Sequence, residues 1–166
     1  MITRRFLVTG GALGLIAAVI PPWWAGVSNA TETFAVTHSD AEWRKLLAPD
    51  QYAVLRQNAT ERPFTSPLLH ESRHGVFACA GCDLPLFSSE TKFESGTGWP
   101  SFYQPLANAV GKTEDRTFGM SRTEVHCRRC GGHLGHVFDD GPKPTGLRYC
   151  IDGFALVFRP APASAT

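Results

Sequence analysis

Apolar side chains recur at helical spacing just after residue 38, which predicts a short helix. Ser39 and Glu42 form a capping-box pattern, in which the serine side chain accepts from a first-turn amide and the glutamate reaches back to the chain. Trp43, Leu46 and Leu47 then fall on one face of the helix. We expect its aromatic residue, Trp43, to pack into the core.

A second short helix and a series of strands follow. Pro49 suits the first position of a helix, and Tyr52 and Leu55 then face inward. From Arg62 onward, short apolar runs alternate with clusters of Gly, Pro and Ser, which is the pattern of antiparallel strands. The predicted strands are 76–79, 84–87, 101–103, 118–127, 136–139 and 148–159.

Length and composition are typical of one globular domain. The chain has 166 residues, of which 43% are hydrophobic and 19% charged, a balance that excludes a disordered protein. The 16 Lys and Arg residues against 15 Asp and Glu give a formal charge of +1, which provides no electrostatic footprint for nucleic acid. Five cysteines, an odd number, exclude complete intramolecular disulfide pairing.

The first thirty residues are typical of a secretory signal. Thr3-Arg4-Arg5-Phe6-Leu7 supplies positive charge and resembles the twin-arginine signal of bacterial export. Residues 6–20 carry no charge, and Ser28-Asn29-Ala30 offers a small-x-small cleavage site. The alternative is an uncleaved anchor, because residues 23–27 can extend the apolar stretch toward the roughly 20 residues that a spanning helix needs. We expect an exported protein, in the bacterial periplasm or anchored facing it.

The predicted organisation is therefore a signal peptide followed by one domain. We assign residues 1–30 to the signal, 31–38 to an N-terminal tail, 39–160 to the domain and 161–166 to a C-terminal tail. We expect the mature chain to be a monomer without stable membrane insertion.

Four of the cysteines are arranged as a metal site. Cys79 and Cys82 form one C-x-x-C pair, Cys127 and Cys130 form a second, and 44 residues separate the pairs. Each pair places two sulfurs on one tight turn, and two such turns together suit the tetrahedral geometry of zinc. Such closed sites are structural, so we expect one Zn²⁺ per chain that stabilises the fold. The alternative is two disulfides, which export favours although a C-x-x-C disulfide is strained.

The fifth cysteine, Cys150, is the candidate nucleophile. It lies in the predicted strand 148–159, close to Arg148, whose charge favours a thiolate. Alternation along a single strand puts Asp152 on the same face as Cys150. The competing interpretation is a buried, inert cysteine, which is common for a lone cysteine.

Two histidines, His133 and His136, follow the second cysteine pair and are candidates for acid–base chemistry. On a regular strand these two positions face opposite ways, but Gly131, Gly132 and Gly135 permit a bulge or turn that brings both into one pocket. The alternative is that one histidine adds to the metal site.

A glycine-flanked loop carries Trp99. Pro100 restricts Trp99 to an extended conformation, so the indole can form a wall for a small apolar group or a sulfur. The alternative is a tryptophan that simply anchors the loop in the core.

These segments together resemble the B-type methionine sulfoxide reductases. The resemblance rests on C-A-G-C, S-G-T-G-W-P-S-F, C-R-R-C-G-G-H-L-G-H-V-F and R-Y-C in this order. The segment Glu61-Arg62-Pro63-Phe64-Thr65-Ser66-Pro67-Leu68 also resembles the opening of that family. The resemblance covers residues 39–159, essentially the whole predicted domain.

This resemblance implies a mainly β fold, a β-tent of two antiparallel sheets with short N-terminal helices and a structural zinc away from the active site. It implies reduction of the R epimer of methionine sulfoxide, free or in oxidised proteins, to methionine. The electrons would come from an external thiol reductant, either thioredoxin-like or a small thiol.

The resemblance also implies roles for particular side chains. Cys150 matches the catalytic cysteine, Trp99 the residue that packs on the substrate methyl, and His133 and His136 the pocket histidines. To these we add Asp152 as a candidate catalytic group, and Arg148 and Phe138 as candidate substrate contacts.

Two positions depart from the family pattern. Thr97 stands where many members carry a resolving cysteine, so we expect Cys150 to form a sulfenic acid that an external thiol reduces. Asp152 stands where the usual residue is Asn. An ionised carboxylate there opposes thiolate formation, whereas a protonated one can donate to the sulfoxide oxygen, and the sequence leaves both open.

Two other functions account for parts of the pattern. A non-catalytic zinc-held β domain that binds a protein partner explains the four cysteines, but not Cys150, the histidines and the Trp99 loop together. A thiol–disulfide oxidoreductase would use its C-x-x-C pairs for redox chemistry and bind no metal.

Overall fold

The computed structural model describes residues 32–162, so the predicted signal peptide lies outside the described residues. Two short helices come first, α1 (Asp40–Leu46) and α2 (Pro49–Gln57). The strands that follow them are β1 (Gly75–Cys79), β2 (Pro85–Ser88), β3 (Lys92–Phe93), β4 (Ser101–Phe102), β5 (Val110–Asp115), β6 (Arg122–Cys127), β7 (His133–Phe138), β8 (Arg148–Ile151) and β9 (Leu156–Pro160).

The start of α1 follows the predicted capping box. The Glu42 amide donates to Ser39 Oγ at 3.3 Å, and the Ser39 amide donates to Glu42 Oε2 at 2.8 Å. Trp43 is buried as predicted, and Leu47 is buried with it, but Leu46 is 61% exposed, so the prediction that the three side chains share one face is wrong. The helix ends at Leu46 and Leu47 is already extended, so the turn of the chain directs Leu47 inward instead.

The predicted start and inner face of α2 are confirmed. Pro49 occupies its first turn, where the missing amide hydrogen removes no helical hydrogen bond. Tyr52 and Leu55 are both buried.

All strand pairs in the described part of the chain are antiparallel and form two sheets. The smaller sheet has the order β2-β1-β9, and the larger has the order β3-β4-β8-β7-β6-β5. The expected mainly β architecture with two sheets and two short helices is therefore confirmed.

An aromatic cluster joins the two sheets. Phe77 and Phe87 come from the smaller sheet, and Phe102 and Tyr149 from the larger one. The Phe87 and Phe102 rings stack at 4.4 Å, and Phe77 meets Phe102 edge-on at 5.0 Å. These large buried side chains hold the sheets face to face, since apolar burial contributes in proportion to area.

The predicted single strand 148–159 is wrong. It consists of β8 in the larger sheet and β9 in the smaller sheet, separated by a 3₁₀ turn at Gly153–Ala155. A Cβ at Gly153 would overlap the Ser66 hydroxyl, so only glycine fits where the chain turns from one sheet to the other. The alternation of side chains between the two faces of a strand therefore does not continue past Asp152.

Other strand boundaries differ because edge strands lack a hydrophobic signal. β5 was missed because it lies at the sheet edge with mostly exposed side chains, and β3 because it has only two residues. β6 begins at Arg122 rather than 118, because a 3₁₀ turn at Thr117–Gly119 precedes it. β7 begins at His133 rather than 136. Within residues 32–162, none of the helices has the length and apolar character needed to cross a membrane.

Candidate active site

Cys150 lines a cavity of about 130 Å³ at one face of the larger sheet. Such a volume suits a small group, because pockets for drug-sized ligands measure roughly 300–1,000 Å³. The lining residues come from five parts of the chain and combine aromatic, basic and acidic side chains. They are Thr60, Trp99, Arg122, Gly135, His136, Phe138, Cys150 and Asp152.

Strand β8 places Cys150 between two neighbouring strands. In register, Cys150 pairs with Ser101 of β4 on one side and with His136 of β7 on the other. Gly135 is needed here, because a Cβ at this position would overlap the Cys150 carbonyl oxygen. Thr97 from the Trp99 loop also reaches the thiol, with its Oγ1 3.9 Å from Cys150 Sγ.

The electrostatics of Cys150 differ from the expected ready thiolate. Burial raises the pKa of the Cys150 thiol, while the Thr97 hydroxyl and the Arg148 charge oppose that rise, and the Asp152 charge adds to it. The Arg148 guanidinium is largely engaged elsewhere, since it donates to both Asp140 oxygens at 2.9 Å. Arg148 thus acts in the predicted direction, but burial dominates.

Asp152 is a buried carboxyl group on the cavity wall, only 3% exposed. Its Oδ1 accepts from the Glu61 amide at 2.8 Å, and its Oδ2 lies 3.9 Å from His133 Nε2. Burial raises the pKa of Asp152 to about 6, against the lowering effects of the Glu61 amide and His133. A carboxyl group with this pKa can hold a proton near neutral pH.

The two histidines lie together because β7 is irregular. Its pairing with β6 shifts register between Val125 and His126, and Gly135 has a φ of 145°. This is the bulge that the glycines permit, and it leaves the His133 and His136 rings 5.5 Å apart. His136 lines the cavity, whereas His133 is only 3% exposed and does not.

Each histidine has a carboxylate partner that sequence reasoning missed. His133 Nδ1 lies 2.7 Å from Glu124, and His136 Nε2 lies 2.8 Å from Asp115. The histidine hydrogen bond lowers the pKa of Glu124, so that carboxylate is ionised and accepts from the Nδ1–H. Burial lowers the pKa of His136, which favours its neutral form. No motif in the sequence indicates these pairings, because they depend on the strand register.

Two of the three predicted substrate contacts, Trp99 and Phe138, line the cavity. Arg148 does not line it, but its guanidinium lies over the Phe138 ring at 4.5 Å. Thr60 and Arg122 also line the cavity and were not predicted, since neither stands in a recognisable motif.

The other four cysteines form a separate cluster in which all four sulfurs lie within 4.8 Å of one another. Cys79 and Cys130 are 3.7 Å apart and Cys82 and Cys127 are 3.5 Å apart, and all are free rather than disulfide-bonded. Four sulfurs at about 2.3 Å from one zinc ion would lie about 3.8 Å from one another. The sulfurs present therefore fit a tetrahedral metal ion, and neither histidine belongs to the cluster.

The cluster joins the two sheets. Cys79 ends β1 of the smaller sheet and Cys127 ends β6 of the larger. Both turns have the same form, since Asp83 and Gly131 have positive φ and donate their amides to the carbonyls of Cys79 and Cys127 at 2.8 Å. A bound ion would thus tie together two hairpins that are distant in sequence.

Comparisons with known proteins give a matching family and several named relatives. The SelR domain family matches residues 47–160. A protein of Agrobacterium fabrum named peptide methionine sulfoxide reductase MsrB is 56% identical over 126 residues, covering 75% of this chain and 93% of its own length. Proteins of the same name from Leptospira interrogans and Pseudomonas putida are 54% identical over 127 residues and 58% identical over 120 residues. These two alignments cover 76% and 72% of this chain and 97% and 90% of the relatives.

Proposed function

Because the chain belongs to the SelR family of MsrB peptide methionine sulfoxide reductases, oxidoreductases that act on sulfur groups, we propose that it reduces methionine (R)-sulfoxide to methionine with Cys150 as nucleophile. The observation that carries the proposal is the position of Cys150. It is the cysteine outside the four-sulfur cluster, and it lines a small cavity with Trp99 and Asp152.

The cavity suits a methyl sulfoxide. Trp99 and Phe138 offer aromatic surfaces to the methyl group and sulfur. Asp152, His136 and Arg122 offer polar groups to the oxygen. Aromatic surfaces and a few polar groups in one small cavity can orient a small substrate so that its sulfur faces Cys150.

The first chemical step transfers an oxygen atom. The Cys150 sulfur attacks the electrophilic sulfoxide sulfur while a proton reaches the sulfoxide oxygen, which makes it a better leaving group. The oxygen ends on Cys150 as a sulfenic acid, and methionine is released. The substrate sulfur gains two electrons, and the Cys150 sulfur loses two.

Asp152 is the group best placed to hold the proton for that oxygen. It lines the cavity and has a pKa of about 6, raised by burial. His133 faces the other side of Asp152 and takes no direct part in lining the cavity, while His136 lines the cavity next to Cys150. His133 Nε2 lies 3.9 Å from Asp152 Oδ2, too far for a hydrogen bond, and His136 remains the second candidate acid.

The sulfenic acid is then reduced by an external thiol. Thr97 occupies the position nearest the Cys150 sulfur on the Trp99 loop and cannot form a disulfide. A first thiol condenses with the sulfenic acid and releases water, and a second thiol frees Cys150 as the mixed disulfide is exchanged. A small thiol or a thioredoxin-like protein fits this step, which gives a one-cysteine cycle.

We further propose that the four-cysteine cluster holds one structural Zn²⁺. Cys79, Cys82, Cys127 and Cys130 would bind it as thiolates, and a fully occupied tetrahedron leaves no position for substrate. When bound, zinc would stabilise the contact between the two sheets.

The biological setting that we propose is repair of oxidised proteins outside the cytoplasm. It is supported by Thr3-Arg4-Arg5-Phe6-Leu7 and the uncharged residues 6–20. Mass spectrometry of the protein recovered from the periplasm of a bacterial host tests it. A chain that begins at Thr31 supports export with cleavage, and full-length protein retained in the cytoplasm contradicts it.

The function itself is tested by turnover of the two epimers. With dithiothreitol as reductant, we expect the R epimer of methionine sulfoxide to be reduced and the S epimer to remain at background. Cys150→Ser should lower the R-epimer rate at least about a thousandfold, because the nucleophile is lost. Thermal unfolding of the variant checks that it is folded. Full activity in folded Cys150→Ser would refute the proposal.

A second test captures the intermediate. One equivalent of methionine (R)-sulfoxide is added to the reduced protein without any thiol, and dimedone then labels sulfenic acid. We expect one adduct on Cys150, located by mass spectrometry of peptides. An internal disulfide that includes Cys150 would contradict the one-cysteine cycle.

A further inference from the structure

We propose that Glu61 is a positioning residue of the active site, which holds Trp99 and Asp152 in their places on the cavity wall. The inference rests on the proposed function and extends it to a residue outside the cavity lining. Glu61 opens the segment Glu61-Arg62-Pro63-Phe64-Thr65-Ser66-Pro67-Leu68, to which the mechanism otherwise gives no role.

The main chain of Glu61 binds both wall residues directly. Its amide donates to Asp152 Oδ1 at 2.8 Å, and its carbonyl oxygen accepts from the Trp99 indole Nε1–H at 3.1 Å. One peptide segment therefore sets the distance between the aromatic wall and the buried acid. Because Oδ1 of Asp152 is occupied in this way, its other oxygen is the one that faces His133.

The side chain of Glu61 fixes that segment in turn. Its Oε1 accepts from the Gly153 amide at 2.5 Å, at the start of the 3₁₀ turn after Asp152. The first amides of such a turn have no partner within it, so Glu61 satisfies a donor that would otherwise be orphaned. The main chain and the side chain of Glu61 thus bind two adjacent residues, Asp152 and Gly153. We call these three hydrogen-bonded residues the bracket.

The surroundings of Glu61 indicate a requirement for a side chain that accepts a hydrogen bond. The residue is 6% exposed, and its Oε2 is buried without a hydrogen-bond partner in the described part of the chain. Burial raises the pKa of Glu61 to about 7, with a further rise from the nearby Asp152 charge. An apolar side chain would avoid the desolvation penalty but could not hold the Gly153 amide. The ionisable groups facing the bracket are His133, beside Asp152, and Cys150.

Three variants test the proposal kinetically. Glu61→Met keeps a similar volume without a strong acceptor, and Glu61→Gln keeps the acceptor without the charge. The matched control is Glu71→Met, since the Glu71 carboxylate also accepts a main-chain amide, that of Arg73, but does not line the cavity. We expect kcat/KM to fall at least about tenfold in Glu61→Met, because small misplacements of catalytic groups cost about a hundredfold. Glu61→Gln should stay within about threefold of wild type, and Glu71→Met should be unchanged.

A double-mutant cycle separates positioning from general stability. Trp99→Phe removes the indole donor, so Glu61→Met should have a much smaller effect in the Trp99→Phe background than alone. Additive effects of the two substitutions would overturn the proposal, as would full activity in folded Glu61→Met.

A measurement without activity covers the case in which Glu61→Met does not fold. The Glu61 carboxyl is titrated by ¹³C NMR in wild type and in Asp152→Asn, where the neighbouring negative charge is absent. We expect the pKa of Glu61 to fall in the variant, and an unchanged pKa would show that the bracket does not couple the two residues. If the wild type reduced neither sulfoxide epimer, the proposed function would fail, while this titration would still decide whether Glu61 and Asp152 are coupled.

Discussion

The five cysteines of this protein occupy two regions with opposite physical character. In the four-cysteine cluster the sulfurs meet at the ends of two hairpins, one from each sheet. At the cavity, Cys150 stands apart from other sulfurs, between Thr97, Arg148 and Asp152. The surroundings of a thiol, rather than its residue type, therefore decide whether it stabilises the structure or reacts.

The two regions also differ in the charges that surround their sulfur atoms. A Zn²⁺ ion in the cluster would offset half the charge of its four thiolates, and the Cys82 and Cys130 carbonyls accept from Arg129 and Arg56 at 3.1 Å each. Around Cys150 the charges oppose one another, and burial raises its pKa. The cavity thus favours the protonated form of the resting Cys150 thiol.

The largest expected difference between the regions is in stability. Cys127→Ser removes one ligand at the junction of the sheets, and we expect it to remove most of the folding free energy, typically about 5–15 kcal/mol in total. Cys150→Ser should change stability by no more than about 1 kcal/mol. Urea unfolding followed by circular dichroism gives both values, and zinc analysis should find one ion per chain in Cys150→Ser. Equal losses of folding free energy in Cys127→Ser and Cys150→Ser would contradict a structural role for the cluster that Cys150 does not share.

A second experiment brings another sulfur to the reactive region. Thr97→Cys puts a thiol where the hydroxyl now lies 3.9 Å from Cys150 Sγ. We expect one equivalent of methionine (R)-sulfoxide to yield an internal disulfide, with dimedone labelling of Cys150 reduced at least about tenfold because an adjacent thiol competes for the sulfenic acid. Thr60→Cys, on the same cavity, is the comparison variant. Undiminished labelling in Thr97→Cys would show that the loop cannot bring the two sulfurs together.

A third experiment concerns the pH dependence of turnover. Asp152 loses its proton as pH rises through about 6, while the raised pKa of Cys150 means that its thiolate increases with pH well beyond that point. If Asp152 supplies the proton, the two trends offset and kcat/KM changes little between pH 6 and 8. In Asp152→Asn only the thiolate trend remains, so the rate should rise about tenfold per pH unit. Identical profiles in both proteins would assign Asp152 a structural role.

The smallest expected effect is on the pH dependence of folding. The folded-state pKa of Asp152, about 6, lies above its ordinary value of 3.8, so the native state binds this proton more tightly than the unfolded state. Its contribution to stability is therefore present below about pH 4 and is lost as pH rises to 6. Asp152→Asn should be more stable than wild type at pH 8 by about 1–3 kcal/mol, with a smaller difference at pH 4. Stability is measured by thermal unfolding. If it changed by the same amount between pH 4 and pH 8 in wild type and in Asp152→Asn, burial would not raise the pKa of Asp152.

Local patterns predicted the helices and the cysteine pairs well because their physics is local. The Ser39–Glu42 capping box lies within four residues, and each C-x-x-C turn lies within five. The prediction that Leu46 shares one face with Trp43 and Leu47 was wrong because the helix ends at Leu46, and the end of a helix, rather than its periodicity, decides which side chain turns inward. The predicted strand 148–159 was wrong because apolar residues continue through the 3₁₀ turn at Gly153–Ala155, so the hydrophobic pattern does not mark the turn.

The mainly β architecture, the grouping of four cysteines against one, and the family to which the chain belongs could all be predicted from the sequence. The carboxylate partners of the two histidines, the raised pKa values of Cys150 and Asp152, and the bracket at Glu61 became visible only in the folded chain. Motifs record neighbours along the chain. Burial and hydrogen bonding depend on neighbours in space, and here those come from strands far apart in sequence.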